Sequence, residues 1–299
     1  MSFADLKRNS SSNFEKLNQE LNKLNSNKNN NNGDIENLWK PATDKAGNGY
    51  AVIRFLPAPA NEDVPFVRIW DHGFQGTGGW YIEKSLTTFG ENDPVGELNS
   101  QLWNSGSDAD KEIARKQKRR LSYYANIYIV KDPANPENEG KVKLYKFGKK
   151  IFDKLNDLMN PSFEDEAPIN PFDLWTGANF KLKIRKLEGY PNYDKSEFDS
   201  AGPLSDDDDE LEAIYKMEHS LQALLDRKNF KTYDELKARL DRALGRTTTP
   251  SKARAPAEEA PAWEPKAAAA PKFSESAPAS SGGDDDDDDL AFFQQLVDD

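Results

Sequence analysis

The central part of the chain alternates between apolar and polar residues with the two-residue period of β-strands. In the run NFKLKIRKL, which begins at Asn179, the apolar residues share one face and three cations share the other: Lys181, Lys183 and Arg185. Shorter runs of the same type, YAVIRFLP, FVRIWDHGF, GGWYIEKS and KVKLYKF, are separated by Pro and Gly. The pattern therefore predicts a strand-rich centre.

Three further segments have the longer period of amphipathic helices. GKKIFDKLNDLM lies between two predicted strands, and DDDDELEAIYKMEHSLQALLD opens with acids that complement the helix dipole. KTYDELKARLDRALG ends at Gly245, which favours a helix stop. Strands and helices together predict an α+β core, mainly β, over residues 35–245.

The first 34 residues consist of a short arm and an Asn-rich linker. Apolar residues in the arm recur with helical spacing: Phe14, Leu17, Leu21 and Leu24. A helix this short is not stable alone, so the stripe packs either on its own core or on another molecule. The linker, which has almost nothing to bury and should be flexible, favours docking on another molecule.

The C-terminal region changes composition twice. Residues 246–283 are rich in Ala, Pro and Ser, which predicts a disordered linker. Residues 284–299 form an acidic tail, DDDDDDLAFFQQLVDD, which on a flexible tether can compete with nucleic acid for a basic groove. Large apolar residues at this end indicate a protein-docking peptide: Leu290, Phe292, Phe293 and Val297.

Composition narrows the possible functions. The 299 residues carry a formal net charge of −12 and include no cysteine, which excludes disulfides and thiolate metal sites. No apolar run approaches the ~20 residues that a membrane-spanning helix needs. The first residues lack the apolar segment of a signal peptide, so we expect a cytoplasmic protein.

Positive charge is nevertheless concentrated beside tyrosines in the run RKQKRRLSYYANIYIVKD, residues 115–132. Alternation gives this run an apolar face and an opposite polar face. The apolar face consists of Leu121, Ala125, Ile127 and Ile129. The polar face consists of Ser122, Tyr124, Asn126 and Tyr128. KVKLYKF similarly places Val142 and Leu144 opposite Lys141, Lys143 and Tyr145. An ordinary solvated sheet face would carry mixed charges, whereas these faces carry cations and aromatics. Cations that follow phosphates, with rings on which bases stack, are typical of a single-stranded nucleic-acid groove.

Two other functional classes are possible. Consecutive acids at Asp206–Asp209 could bind Mg²⁺ in a nuclease, but acids that open a helix are far more often a solvated turn. The sequence shows no nucleophile–base pair and no phosphate loop, so we expect no enzyme. An RNA-binding or nucleoid-type structural protein is the closer alternative, because the groove pattern does not distinguish DNA from RNA.

Several stretches resemble the gene-32-type single-stranded DNA-binding proteins of T-even-like bacteriophages. They are GNGYAVIRFLP, DHGF with GWYIE, KRRLSYYANIYIVKDPANPENEGKV, FGKKIFDKLN and GYPNYDKSEF. The similarity covers most of the core in the same order. It implies an oligonucleotide-binding (OB) fold and cooperative binding of single-stranded DNA in phage replication, recombination and repair, in the cytoplasm of the infected bacterium. It also implies replication and recombination proteins, such as a polymerase, a primase or a helicase loader, as clients of the acidic tail.

The resemblance places these functions on particular residues. The basic-then-hydroxyl motif of the groove falls on Lys118, Arg119, Arg120 and Ser122. The family's aromatic positions fall on Tyr123, Tyr124, Tyr145, Tyr190 and Tyr193. A similar motif in the self-association arm falls on Lys7, Arg8, Ser10 and Ser11. Alternation differs from the resemblance on Tyr123, which it places on the core face.

One family feature is changed in this chain. Many members hold a structural zinc through one His and three Cys, but only His72 has a counterpart, and the cysteine positions fall at about Ser85, Asp93 and Gly96. Zn²⁺ needs about four good ligands in a closed structural site, so we expect no zinc and no other cofactor. Packing of aromatic residues is expected to hold this region instead: Trp70, Trp80 and Phe89.

Overall fold

The computed structural model describes residues 37–163 and 165–246, so the arm, its Asn-rich linker, nearly all of the Ala/Pro-rich segment and the acidic tail lie outside the described residues. Within this part of the chain, nine strands form one sheet that five α-helices accompany. The predicted α+β class is therefore confirmed. No helix in the described part is long and apolar enough to cross a membrane.

The nine strands have the following bounds: β1 (Leu38–Trp39), β2 (Gly49–Phe55), β3 (Phe66–Gly76), β4 (Gly79–Lys84), β5 (Arg120–Lys131), β6 (Val142–Phe147), β7 (Ala178–Leu187), β8 (Tyr190–Asn192) and β9 (Glu197–Ala201). The helices are α1 (Pro94–Asn104), α2 (Asp108–Gln117), α3 (Lys149–Met159), α4 (Asp208–Lys216) and α5 (Tyr233–Ala243). Short 3-10 helices span Leu86–Phe89 and Gln222–Leu225.

The long strand β5 organises the sheet. Its first half pairs with β3, its second half pairs with β2, and β6 runs along its other edge. Beyond β2 the order continues through β7, to which β8 and β9 both pair. Because a strand has only two edges, this exchange of partners along β5 bends the sheet around the core. A register shift in β2 between Val52 and Ile53 lies beside the same region and increases the local bend.

The main core packs against one face of this sheet. Phe180, Leu182 and Ile184 of β7 are buried there, as their alternation predicts. The predicted helix α3 contributes Phe152 and Leu155 to the same core. Full burial of each such side chain contributes about 1.5–3 kcal/mol, which is enough to set which face of each strand points inward.

The opposite face of β5 is covered as well, which alternation does not predict. Residues 217–230 cross over it, and Leu221 and Leu224 pack against Tyr124. Asn126 fixes this segment, since its side chain donates to the backbone oxygen of His219 at 2.8 Å and accepts from the His219 amide at 3.0 Å. The prediction that Tyr124 lies on an exposed face is therefore wrong.

The helices follow the sequence in part. Helix α5 begins with a capping box between Thr232 and Glu235, and Gly245 beyond its end has φ 69°, so the predicted stop is confirmed. The predicted long helix after Asp206 is shorter, because α4 ends at Lys216 and the chain turns to meet Asn126. Helices α1 and α2 are not among the predicted elements.

Candidate nucleic-acid interface

The basic motif lies at the start of β5, directly after α2. The Arg119 guanidinium lies over the ring of Trp70, with 4.4 Å between its central carbon and the ring centroid. The side chain of Arg120 is mostly exposed, and its Nη2 lies 3.0 Å from Asp71 Oδ1. Lys118 ends α2 through its backbone N–H, which donates to Arg115. Strand β3 thus supplies a ring and a carboxylate that orient two neighbouring arginines.

Asp71 is buried and binds a second cation. Lys146 Nζ on β6 donates to Asp71 Oδ2 at 2.7 Å, on the side of the sheet where Tyr124 also lies. One carboxylate therefore orients Arg120 and Lys146, and the group keeps a net positive charge. Sequence reasoning missed Lys146, although it follows Tyr145 in the same basic run.

Three predicted tyrosines are buried. Tyr123 stacks on Phe152 with 4.0 Å between the ring centroids, and Tyr145 lies edge-on to Trp39 at 5.3 Å. Burial raises the pKa of Tyr124 and Tyr145. Ser122 is buried too. The prediction that Tyr145 lies on an exposed face is wrong, and contact of these residues with bases stays a prediction that requires the covering side chains to move.

The other aromatic side chains differ in how far they are exposed. Tyr190 is 76% exposed, Tyr193 is partly buried against the main core, and Tyr128 is partly buried against α4 residues. Trp80 is 62% exposed, so the prediction that it packs inside is wrong, whereas Trp70 is buried. Alternation in GWYIEK places Trp80 and Tyr81 on opposite faces of β4. The structure buries Tyr81, so Trp80 points outward.

The cations of β7 have acidic partners. Lys181 Nζ lies 2.9 Å from Asp199, and Lys183 Nζ lies 2.6 Å from Glu197, both on β9. The prediction of a basic face without acids is therefore wrong for β7, because β9 was not predicted from the sequence. Water screens these exposed ion pairs, so they are weak competitors for a bound phosphate.

The remaining predicted residues lie in separate places. Arg185 Nε reaches the side-chain oxygen of Asn192 at 3.5 Å, Lys143 Nζ donates to Asn37 at 3.2 Å, and Lys141 is exposed. The structure brings Arg120 and Lys146 together at Asp71, whereas Arg119 lies over Trp70 on the other face of β3. Strand β2 lies between β5 and the β7 cations. The predicted self-association residues and tail residues lie outside the described part of the chain: Lys7, Arg8, Ser10, Ser11, Phe14, Leu17, Leu21, Leu24, Leu290, Phe292, Phe293 and Val297.

The residues at the family's zinc positions form a hydrogen-bonded network. Asp93 Oδ1 lies 3.3 Å from His72 Nε2 and also accepts from the Val95 amide at the start of α1. The other ring nitrogen of His72, Nδ1, lies 2.9 Å from the Gln117 backbone oxygen. Burial raises the pKa of Asp93, but the bonds from His72, Ser85 and Val95 outweigh it and hold that pKa below its usual range.

This network does not fit a closed zinc site. The oxygen of Asp93 caps α1, Ser85 Oγ caps the next 3-10 helix by accepting from the Thr87 amide, and Gly96 offers no ligand. Within residues 37–163 and 165–246, no group of three or more His, Asp or Glu side chains could hold a metal ion. These polar contacts join β3, α1 and α2.

Known proteins are similar to this chain over most of its core. Residues 47–244 match the family model described as "gp32 DNA binding protein like". The chain is 42% identical over 212 residues to proteins named "Single-stranded DNA-binding protein" from Enterobacteria phages T2 and T4, and the match spans 69% of this chain and 70% of each relative. A relative of that name from Enterobacteria phage RB70 is 42% identical over 88 residues, 29% of this chain and 74% of the relative. The chain therefore belongs to the gp32-like family of DNA-binding proteins.

Proposed function

We propose that the described core binds single-stranded DNA without sequence preference and without catalysis. The observation that carries this proposal is the group of Arg120 and Lys146, which the buried carboxylate of Asp71 orients together. Guanidinium and ammonium groups recognise phosphates, which every nucleotide carries, so this group favours binding that ignores base identity. The names of the T2 and T4 relatives support single-stranded DNA as the ligand.

Cooperative binding through the arm is the second part of the proposal. Lys7 and Arg8 would meet an acidic surface of a neighbouring molecule, while the apolar stripe that begins at Phe14 packs on it. Deletion of residues 1–24 should leave affinity for a one-site oligonucleotide nearly intact and abolish clustering on long strands. Equal clustering with and without the arm would exclude this role.

The acidic tail supplies a third part, in phage replication, recombination and repair. Its removal changes the formal net charge from −12 to −4, so deletion of residues 284–299 should tighten DNA binding at low salt. Capture of replication and recombination proteins should be lost in the same variant. Replacement of Leu290, Phe292 and Phe293 by Ser should abolish capture alone, and capture at the wild-type level would leave the tail a purely electrostatic element.

The alternative is an RNA-binding or nucleoid-type protein acting in the same host cytoplasm. A competition among single-stranded DNA, duplex DNA and RNA, repeated at several salt concentrations, separates the two. Preference for single-stranded DNA with a log–log salt slope of about −0.7 per neutralised phosphate supports the proposal. Preference for RNA or duplex DNA would overturn it.

A further inference from the structure

A lysine at the end of β4 is buried without an anionic partner. Lys84 is only 6% exposed, and within the described residues its ammonium makes no hydrogen bond or ion pair; its charge contacts the ring of Phe230 at 5.0 Å. An ammonium has three donors, and those of Lys84 have no acceptor among the described residues. Lys84 can therefore bind an anion that comes from outside the described part of the chain.

The nearby carboxylates are already in use. Two buried acids each bind two cations: Arg120 and Lys146 for Asp71, and Lys231 and Arg239 for Glu83. With Lys84, five cations lie around two carboxylates, a formal excess of three positive charges. Such an excess is not explained by pairing within the core, and it favours an external anion.

Lys84 also lies close to two of these lysines. Burial, and then the charges of Lys231 and Lys146, lower the pKa of Lys84 to about 8. The strand register places Lys84 opposite Asp71, the residue that orients Arg120 and Lys146. Lys84 therefore lies beside these two cations of the candidate interface. Lys231 and Lys146 are partly exposed, which leaves the cluster open to a ligand from solvent.

We propose that Lys84, Lys146 and Lys231 form a phosphate site that extends the path of the bound strand beyond Arg120. This inference rests on the proposed function, because it takes a backbone phosphate of single-stranded DNA as the ligand. The phosphate supplies the acceptor that Lys84 lacks and balances part of the excess charge. Phe230 covers part of the ammonium and limits its hydration, which strengthens its attraction to an anion.

A charge-removing variant at Lys84 tests the site in the full-length chain. Lys84→Met keeps the length and apolar stem of the side chain, and removal of a buried unpaired charge should leave the melting temperature unchanged or higher. Binding of a short oligothymidylate should weaken, with a salt slope smaller in magnitude by about 0.7, one phosphate. Lys84→Arg should retain the wild-type slope.

Matched controls separate the possible outcomes. Lys228→Met, at an exposed lysine paired with Asp226 in the same segment as Phe230, should leave the slope unchanged. Lys84→Gln serves as a second neutral variant should Lys84→Met fold poorly. Wild-type affinity and slope in both neutral variants would overturn the phosphate site while leaving the proposed function intact. Failure of the wild-type chain to bind the oligothymidylate would overturn both.

Discussion

Lys146 donates to the buried carboxylate of Asp71 across 2.7 Å, and this bond joins two strands, β6 and β3, that flank β5 without pairing to each other. Arg120 binds the same carboxylate at 3.0 Å. A single buried acid thus sets the positions of two cations at the candidate interface.

Asp71→Asn should lower the free energy of unfolding by about 1.5–3 kcal/mol, because hydrogen bonds to a charged group are lost. The salt slope of DNA binding should not decrease in magnitude, since both cations remain and a phosphate can replace the carboxylate. Urea unfolding and salt titration measure the two effects. Glu212→Gln, in an exposed pair with Lys216, is the control and should change stability little. A stability loss no larger than that of the control would contradict the role of Asp71.

Tyr124→Ala should act on stability. The ring is fully buried between β5 and residues 217–230, so its removal should cost about 3–5 kcal/mol of unfolding free energy. Tyr190→Ala, at a ring that is 76% exposed, should leave stability nearly unchanged. Its single-strand affinity should fall by about 1–3 kcal/mol with an unchanged salt slope, as loss of one stacked base predicts. Unaltered affinity in the Tyr190 variant would remove this ring from the proposed strand path.

Removal of the acids on β9 should expose the cations of β7. Hydrogen bonds from Lys183 and Lys181 lower the pKa values of Glu197 and Asp199, so both acids are charged at neutral pH. The double variant Glu197→Gln, Asp199→Asn should therefore bind single-stranded DNA more tightly, with a steeper salt slope. Filter binding at several salt concentrations, with Glu212→Gln as a control for a remote acid, measures the change. An unchanged slope would show that β7 lies outside the path of the strand.

DNA affinity should depend on pH through Lys84. The folded pKa of about 8 lies below the usual value, so the ammonium loses its proton, and with it the phosphate contact, as pH rises through 8. The unfolded chain holds more protons between pH 8 and the usual lysine value, so stability contributed by this group should rise with pH over the same window. Affinity of an oligothymidylate should consequently fall between about pH 7 and 9.

The groups that face Lys84 define the control for this pH dependence. Lys146 on β6, Lys231 before α5 and the Phe230 ring pack around it, with the carboxylates of Asp71 and Glu83 nearby. Lys84→Arg, whose charge persists through this range, should bind with little change between pH 7 and 9. A wild-type pH profile in the Arg variant would assign the titration to another group.

The side of each strand on which a residue lies was determined by the sequence alone. The two-residue period placed Phe180, Leu182 and Ile184 inward and Tyr124 on the face opposite Tyr123, and both placements are found. The sequence also determined the end of α5, because Gly245 adopts a left-handed backbone conformation without steric cost and so terminates the helix. The family was readable from the motifs because their order and residue types persist over most of the core.

What covers each face was decided only by the tertiary structure. Residues 217–230 lie about 90 positions beyond β5 in the chain, yet they bury Tyr124 through Leu221, Leu224 and the bonds of Asn126 to His219. Likewise, Lys181 and Lys183 become paired only when β9 folds back beside β7. Periodicity reports the side of a strand on which a residue lies, but burial and charge pairing depend on contacts between distant segments, which a local pattern does not encode.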